Sequence, residues 1–255
     1  MEFLSQTYLE TTTQIAVNTS TITADNIMDP DVRRQFVSDA FGVDTTTVSI
    51  TISFDSTQTV DRIAIMEFNA KKFNIYYNGA TANAFALTNP TTSSQFITNS
   101  ATNLYLAINS PVACTSVTFD LYSTMVADSE KAVGFIYVGE NELTFPRIPN
   151  ASGYTPVRDP KEMVHEMSDG GTRRHLIQTK WATKMKFQYI TESFRNSLRT
   201  IYDTLAPKVF VPFGTGTSWD GVLFECNWIG NFDFYKYSDD ATQSGFSGTI
   251  DLKET

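Results

Sequence analysis

His165 and His175 are the only histidines in this 255-residue chain, and histidine is the side chain that titrates near neutral pH, so general acid–base or metal chemistry would start from them. They stand on either side of Ser168-Asp-Gly-Gly-Thr172, outside any HExxH spacing. No GxSxG elbow supplies the nucleophile that a Ser-His-Asp hydrolase needs. They read as polar positions on opposite arms of a hairpin. Gly214-Thr-Gly-Thr-Ser218 lacks the GK[ST] of a phosphate loop and runs into Trp219, so it reads as an ordinary loop. Glycoside hydrolysis needs two carboxylates held apart across a bond. The pairs Asp29/Asp31, Asp159/Glu162 and Asp239/Asp240 lie in polar, turn-like stretches instead and read as solvated acids. Asn26, Asp29 and Asp31 offer oxygen ligands to Ca²⁺, but without the EF-hand pattern. Cys114 and Cys226 form neither a disulfide framework nor a zinc set and read as buried thiols. The expectation is a protein with no catalytic residues, no cofactor and no metal.

The elements follow from periodicity. Val48, Ile50, Ile52 and Phe54 alternate with polar residues, as do Phe73/Ile75/Tyr77, Leu104/Leu106/Ile108 and Val117/Phe119/Leu121. Period two is a strand with one wet face. Ile63 to Phe68 and Phe135 to Val138 are apolar runs suited to strands covered on both faces. The intervening segments, Asn78-Gly79 and Thr88 to Ser94, are too short for crossover helices, so pairing is antiparallel. A two-sheet sandwich of about eight strands satisfies these constraints. Thirty-five threonines and 33 aromatic residues favour the same mainly β class.

Farther on, Met163 to Met167 and Arg173 to Gln178 predict a hairpin about the Gly170-Gly171 turn, followed by a strand with Trp181, Met185, Phe187 and Tyr189 on one face. Phe194, Leu198, Ile201, Tyr202 and Leu205 then make one helical stripe. Thr191 caps it and Pro207 stops it, giving a helix near 191–205. Val209 to Phe213, Val222 to Ile229, Phe232 to Tyr237 and Phe246 to Leu252 return to strand character.

Charge divides the chain. Residues 1 to 140 carry six Lys/Arg and fourteen Asp/Glu, whereas 141 to 255 carry thirteen and fourteen. The proline-bearing stretch 144–156 between them predicts a linker joining a sandwich at 1–143 to a second β domain at 157–255. A net charge of -9 without basic clusters disfavours nucleic acid as the main ligand. No apolar run approaches the ~20 residues of a spanning helix, so membrane insertion is not expected. The acidic opening MEFLSQTYLE does not read as a secretory signal, which points to synthesis in a cytoplasm.

Ala24-Asp-Asn-Ile-Met-Asp29, Arg34-Gln-Phe-Val-Ser38, Val48 to Phe54, Val60-Asp-Arg-Ile-Ala-Ile65 and the closing Phe135-Ile-Tyr-Val-Gly139 resemble discoidin-type domains, the galactose-binding-like jelly rolls. Phe36 stands where that family usually has Trp. The second half, with its hairpin, Lys180-Trp181 strand, helix opening Ile190-Thr-Glu-Ser193 and final strand Gly248 to Glu254, is similar to tail-tube-like domains of tailed bacteriophages. In the siphophage distal-tail family the tube-like domain comes first; here the order is reversed. The combined resemblance implies a minor or distal-tail structural protein of the virion tail, made in the host cytoplasm. Its second domain would form a homo-oligomeric ring and meet other phage tail proteins. Its sandwich would decorate the ring or adhere to host-surface glycan. The hairpin residues Asp169, Gly170, Gly171, Arg173 and Arg174 are the expected oligomer contacts. The other reading is a non-catalytic carbohydrate-binding module.

Overall fold

The computed structural model describes residues 1–19, 24–28, 35–38, 44–86, 95–96, 98–146, 157–167, 171–212, 222–238 and 245–255. Two compact units emerge, one built on Leu4–Glu142 and the other combining Met1–Phe3 with Leu143–Pro212 and Leu223–Thr255. The opening strand β1 (Glu2–Leu4) therefore reaches into the second unit's sheet. Among the described residues no helix is long and apolar enough to cross a membrane.

The first unit is a β-sandwich made from β2 (Ile15–Val17), β3 (Phe36–Val37), β4 (Val48–Met66), β5 (Ala70–Tyr77), β6 (Gln95–Phe96), β7 (Leu104–Thr124), β8 (Ala132–Val133) and β9 (Phe135–Gly139). One sheet runs β2-β4-β7-β5-β6 with β9 also on β4, and β3 pairs with β8. The alternating stretch at 48–54 and the apolar run from Ile63 as far as Met66 are parts of one long strand, which ends before Phe68, and 104–108 and 117–121 likewise share β7. The β4–β7 ladder shifts register between Ser53 and Gln58 and again between Val60 and Arg62. Such irregularities bend a strand without ending it. Sequence periodicity registers the break and misses the continuity. Ile50, Ile52, Ile63, Ile65, Phe73, Ile75, Leu106, Val117, Phe119, Ile136 and Val138 meet in a single core. Phe36 is fully buried and pairs with Val133. At the end of β5, Asn78 and Gly79 both take positive φ (52° and 67°), and the Asn78 carbonyl side-chain oxygen accepts from the Thr115 N–H at 2.8 Å. The segment Thr88 to Ser94 lies outside the described residues.

The second unit's sheet adds β10 (Asn141–Thr144), β11 (Val157–Glu166), β12 (Thr172–Ile190), β13 (Lys208–Val211), β14 (Phe224–Trp228), β15 (Phe234–Ser238) and β16 (Gly245–Glu254), with helix α1 (Glu192–Asp203). Its order is β10-β1-β13-β14-β16-β12-β11, and β15 joins β16. Phe145 is buried among Phe3, Phe187, Phe194 and Phe210, with ring centroids 5.4 to 6.2 Å away. The expected linker thus begins too early: Thr144 is in a strand and Phe145 in a core, because aromatic burial outweighs the loop propensity of Pro146. Residues 147–156 lie outside the described set.

Helix α1 carries the predicted cap, Thr191 Oγ1 accepting from the Phe194 N–H at 3.2 Å, and buries Phe194, Leu198 and Ile201. It stops at Asp203. Leu205 takes φ 51° and is 84% exposed, so it lies beyond the stripe. Tyr189 also leaves its expected face. The β12–β16 register shifts between Phe187 and Ile190, Tyr189 adopts φ 57°, and Ile190 becomes the buried residue. Both thiols are buried and free, as expected, and burial pushes the Cys114 pKa up to about 11 and raises that of Cys226.

Candidate functional site

Three neighbouring strands of the sandwich turn polar and aromatic residues away from its core. In β4 the outward residues are Ser49 and Thr51, in β7 Thr118, Asp120 and Tyr122, and in β5 Lys72, Asn74 and Tyr76. Their partners across the ladders are Ser49 with Asp120, Thr51 with Thr118, Asn74 with Asp120, and Tyr76 with Thr118. The alternation that buries Val117, Phe119 and Leu121 forces this set onto the opposite face.

Asp120 lies at the centre on the middle strand and is only 7% exposed. Its carboxylate accepts from the Ser49 hydroxyl at 2.6 Å, and Tyr76 and Tyr122 flank it on the same face. Asn74 Nδ2 donates to Tyr122 Oη at 2.9 Å, and the Thr51 and Thr118 hydroxyls are 3.1 Å apart. The Lys72 ammonium sits 5.3 Å above the centre of the Tyr122 ring. Desolvation, then the Asp120 charge, pushes the Tyr76 pKa up to about 12 and raises that of Tyr122. The two phenols stay protonated and half-buried beside the carboxylate, the Tyr122 hydroxyl held by Asn74. The arrangement offers flat apolar faces, several oxygen acceptors and one ammonium. It contains no nucleophile–base pair.

About half of the chain is similar in fold to solved carbohydrate-binding modules. The Clostridium perfringens module CpGH89CBM32-6 is 13% identical with a TM-score of 0.38, covering 53% of this chain and 99% of that one. Chitosan-binding module 2 of the Paenibacillus sp. IK-5 chitosanase/glucanase, solved with chitotriose, is 15% identical with a TM-score of 0.38, covering 49% and 94%. The family 32 carbohydrate-binding module of Streptococcus pneumoniae EndoD is 12% identical with a TM-score of 0.36, covering 49% and 95%. No protein-family model matches the chain, and no curated protein does.

The residues singled out in the sequence fall elsewhere. The predicted hairpin forms as β11 and β12, with Met163 opposite His175 and His165 opposite Arg173. Gly171 and Arg173 are exposed near its tip and Arg174 continues the strand, whereas Asp169 and Gly170 lie outside the described residues. Asp159 pairs with Lys253 at 3.2 Å. Asn26 donates to the Gln35 carbonyl at 2.9 Å, and Asp29, Asp31, Asp239, Asp240 and Gly214 to Ser218 are outside the described set. Among the described residues no three His, Cys, Asp or Glu side chains gather as a metal site. The Asp120 face escaped sequence reasoning because alternating polar residues announce a wet face, and nothing in the pattern separates an organised one from a solvated one. The faint signal was aromatic residues at wet positions: Tyr76 and Tyr122.

Proposed function

We propose that this chain is a non-catalytic carbohydrate-binding protein whose sandwich recognises glycan on the outer face of β4, β7 and β5. The observation that carries this reading is the pair of half-buried tyrosines, Tyr76 and Tyr122, set beside Asp120 among hydroxyl and amide groups. A pyranose has apolar C–H faces that stack on aromatic rings and a rim of hydroxyls that need fixed polar partners. Rings whose positions are already set lose little conformational entropy on binding. The discoidin-type sequence resemblance agrees with this reading. Titration calorimetry against a glycan panel tests it: Tyr76→Ala and Tyr122→Ala should each weaken binding about tenfold, or ~1.4 kcal/mol, with the fold intact. Unchanged affinity in both variants would move the site elsewhere.

A second reading, an assembly subunit of a bacteriophage tail, is favoured by the β11–β12 hairpin. β16 pairs with β12 only from Ala182 onward, and no other described strand flanks the hairpin beyond that point. Met163, Val164 and Met167 are 48%, 55% and 40% exposed there. A two-stranded ribbon is marginal alone in water, and a neighbour's sheet edge would complete it. In this reading the second unit builds a ring through Asp169, Gly170, Gly171, Arg173 and Arg174, and the sandwich is its glycan-adhesion module in the virion. Light scattering should then find oligomers that vanish when Ser168 to Thr172 is deleted; a monomer at all concentrations would count against it.

A further inference from the structure

We infer that the second unit carries a small-molecule site of its own, a cavity at the end of α1 that takes a two-ring aromatic carboxylate.

The cavity holds about 230 Å³ between the helix and the sheet. Ile201 and Tyr202 of α1 line one side, and Trp228 of β14 and Leu252 of β16 the other. Ile201 and Leu252 are buried core residues, whereas the two aromatic residues are half-buried. Their rings are fixed before anything binds. Tyr202 Oη donates to the Gly230 carbonyl at 3.2 Å, and the Tyr202 and Trp228 rings meet edge to face at 5.4 Å and 78°. Rings already set in place lose little entropy when a ligand enters, and they offer a further aromatic ring edges and faces to pack on.

Size and charge then define the occupant. An apolar cavity of about 150 Å³ holds one benzene ring, so a space roughly half as large again fits two fused rings. Lys208 of β13 is the one charged group among the described residues lining the cavity. Mostly apolar and aromatic walls with a single ammonium suit an apolar body with one anionic end. Leu205 lies beside the cavity just past the helix, with φ 51° and its side chain 84% exposed. Glycine is the usual residue in that conformation after a helix; leucine there is strained and leaves apolar surface in water. An aromatic body in the cavity would cover part of that surface.

Titration calorimetry on the full chain with 1-naphthoate is the test. The acid should bind about tenfold tighter than 1-naphthalenemethanol, which keeps the rings and lacks the charge, and 1-naphthylmethylammonium should bind weakest. Lys208→Met should bring the acid down to the level of the alcohol and leave the alcohol unchanged, while Lys208→Arg should keep the preference. Ala206→Trp, at an exposed position on the lining, should block all three compounds without disturbing the core. The Trp228 indole N–H is buried and meets no acceptor among the described residues. Its proton resonance, assigned through Trp228→Phe, should shift as 1-naphthoate is added and stay in place in Ala206→Trp. Absence of binding at millimolar 1-naphthoate, equal affinity for acid and alcohol, or binding unchanged in both Lys208→Met and Ala206→Trp overturns the site. Self-association that Leu205→Ser abolishes, with no binding of 1-naphthoate, also overturns it by giving the same apolar surface to a second copy of the chain.

Discussion

Tyr76 keeps its phenolic proton beyond the range of an ordinary tyrosine, its pKa pushed up to about 12 by desolvation and then by Asp120. A raised folded-state pKa stabilises the fold fully while pH stays below the unfolded value of about 10, and that contribution disappears as pH rises through the folded value. Tyr122, Tyr8 and Tyr137 shift in the same direction, all led by desolvation. Unfolding free energy from urea titrations should therefore fall steeply between about pH 10 and pH 12. Tyr76→Phe should make that fall shallower without abolishing it. Gly139 presents a different constraint. The Tyr137 ring folds back over it, and the hydroxyl donates to the Ser5 carbonyl at 3.1 Å. A Cβ at position 139 would overlap the Tyr137 hydroxyl. Gly139→Ala should cost about 1–3 kcal/mol, the usual range for overpacking, read from the urea midpoint. The glycine is plain in the sequence, but its reason is not, because nothing in Phe135-Ile-Tyr-Val-Gly139 reveals which way the tyrosine folds.

Helix α1 was legible because its signals are local. Capping by Thr191 and burial of Phe194, Leu198 and Ile201 both follow from spacing within one segment. Thr191→Ala should destabilise the protein by about 1 kcal/mol, and Thr191→Ser should restore most of the loss, measured by thermal melting. The last turn was misread at Leu205, whose spacing suits the stripe although the chain has already left the helix. Strand continuity was harder still. Ser49 to Phe54 and Arg62 to Ile65 belong to β4 on either side of register shifts, and only the partner β7 shows that they form one ladder. At Tyr189 a bulge reverses the face that alternation assigns, and Gly245 stands beside it at φ 153°. A Cβ on Gly245 would lie 2.8 Å from Tyr189 Cα, so the bulge depends on a residue far along the chain. Period two describes a regular ribbon and contains no information about such partners.

At the scale of the molecule, mainly β class and a sandwich with one helix beyond it follow from alternation, because they average over many residues. The threading does not. β1 is three residues long and pairs between β10 and β13, so no periodicity betrays its sheet. The Thr144 hydroxyl donates to Glu2 Oε1 at 3.1 Å, and the Phe145 N–H to the Met1 carbonyl at 3.1 Å. The sandwich is therefore an insertion between two adjacent strands of the other sheet. Its own ends are also neighbours, the Ser5 N–H donating to the Glu140 carbonyl at 2.9 Å. Replacing Ser5 to Glu140 by a turn of about two to five residues should thus leave the second unit folded, since such turns join antiparallel neighbours. A cooperative melt and dispersed amide resonances in the shortened chain would bear this out; a molten species would show that the second unit needs the insertion.

The pairing of β1 with β10 also sets a schedule. Glu2 and Thr144 are 142 residues apart in sequence, so a ribosome adding about 5–20 residues per second leaves β1 without its neighbour for roughly 7 to 30 s. Throughout that wait Phe3 and Leu4, both buried in the finished protein, have no sheet to enter. Closing so long a loop from a disordered chain carries an entropy cost that rises with the logarithm of its length. A sandwich that folds first brings Ser5 and Glu140 together and reduces the remaining search to a few residues. The insertion then acts as a clasp during biosynthesis: mutations that slow its folding should lengthen the exposure of β1 and appear as nascent-chain aggregation before any loss of equilibrium stability.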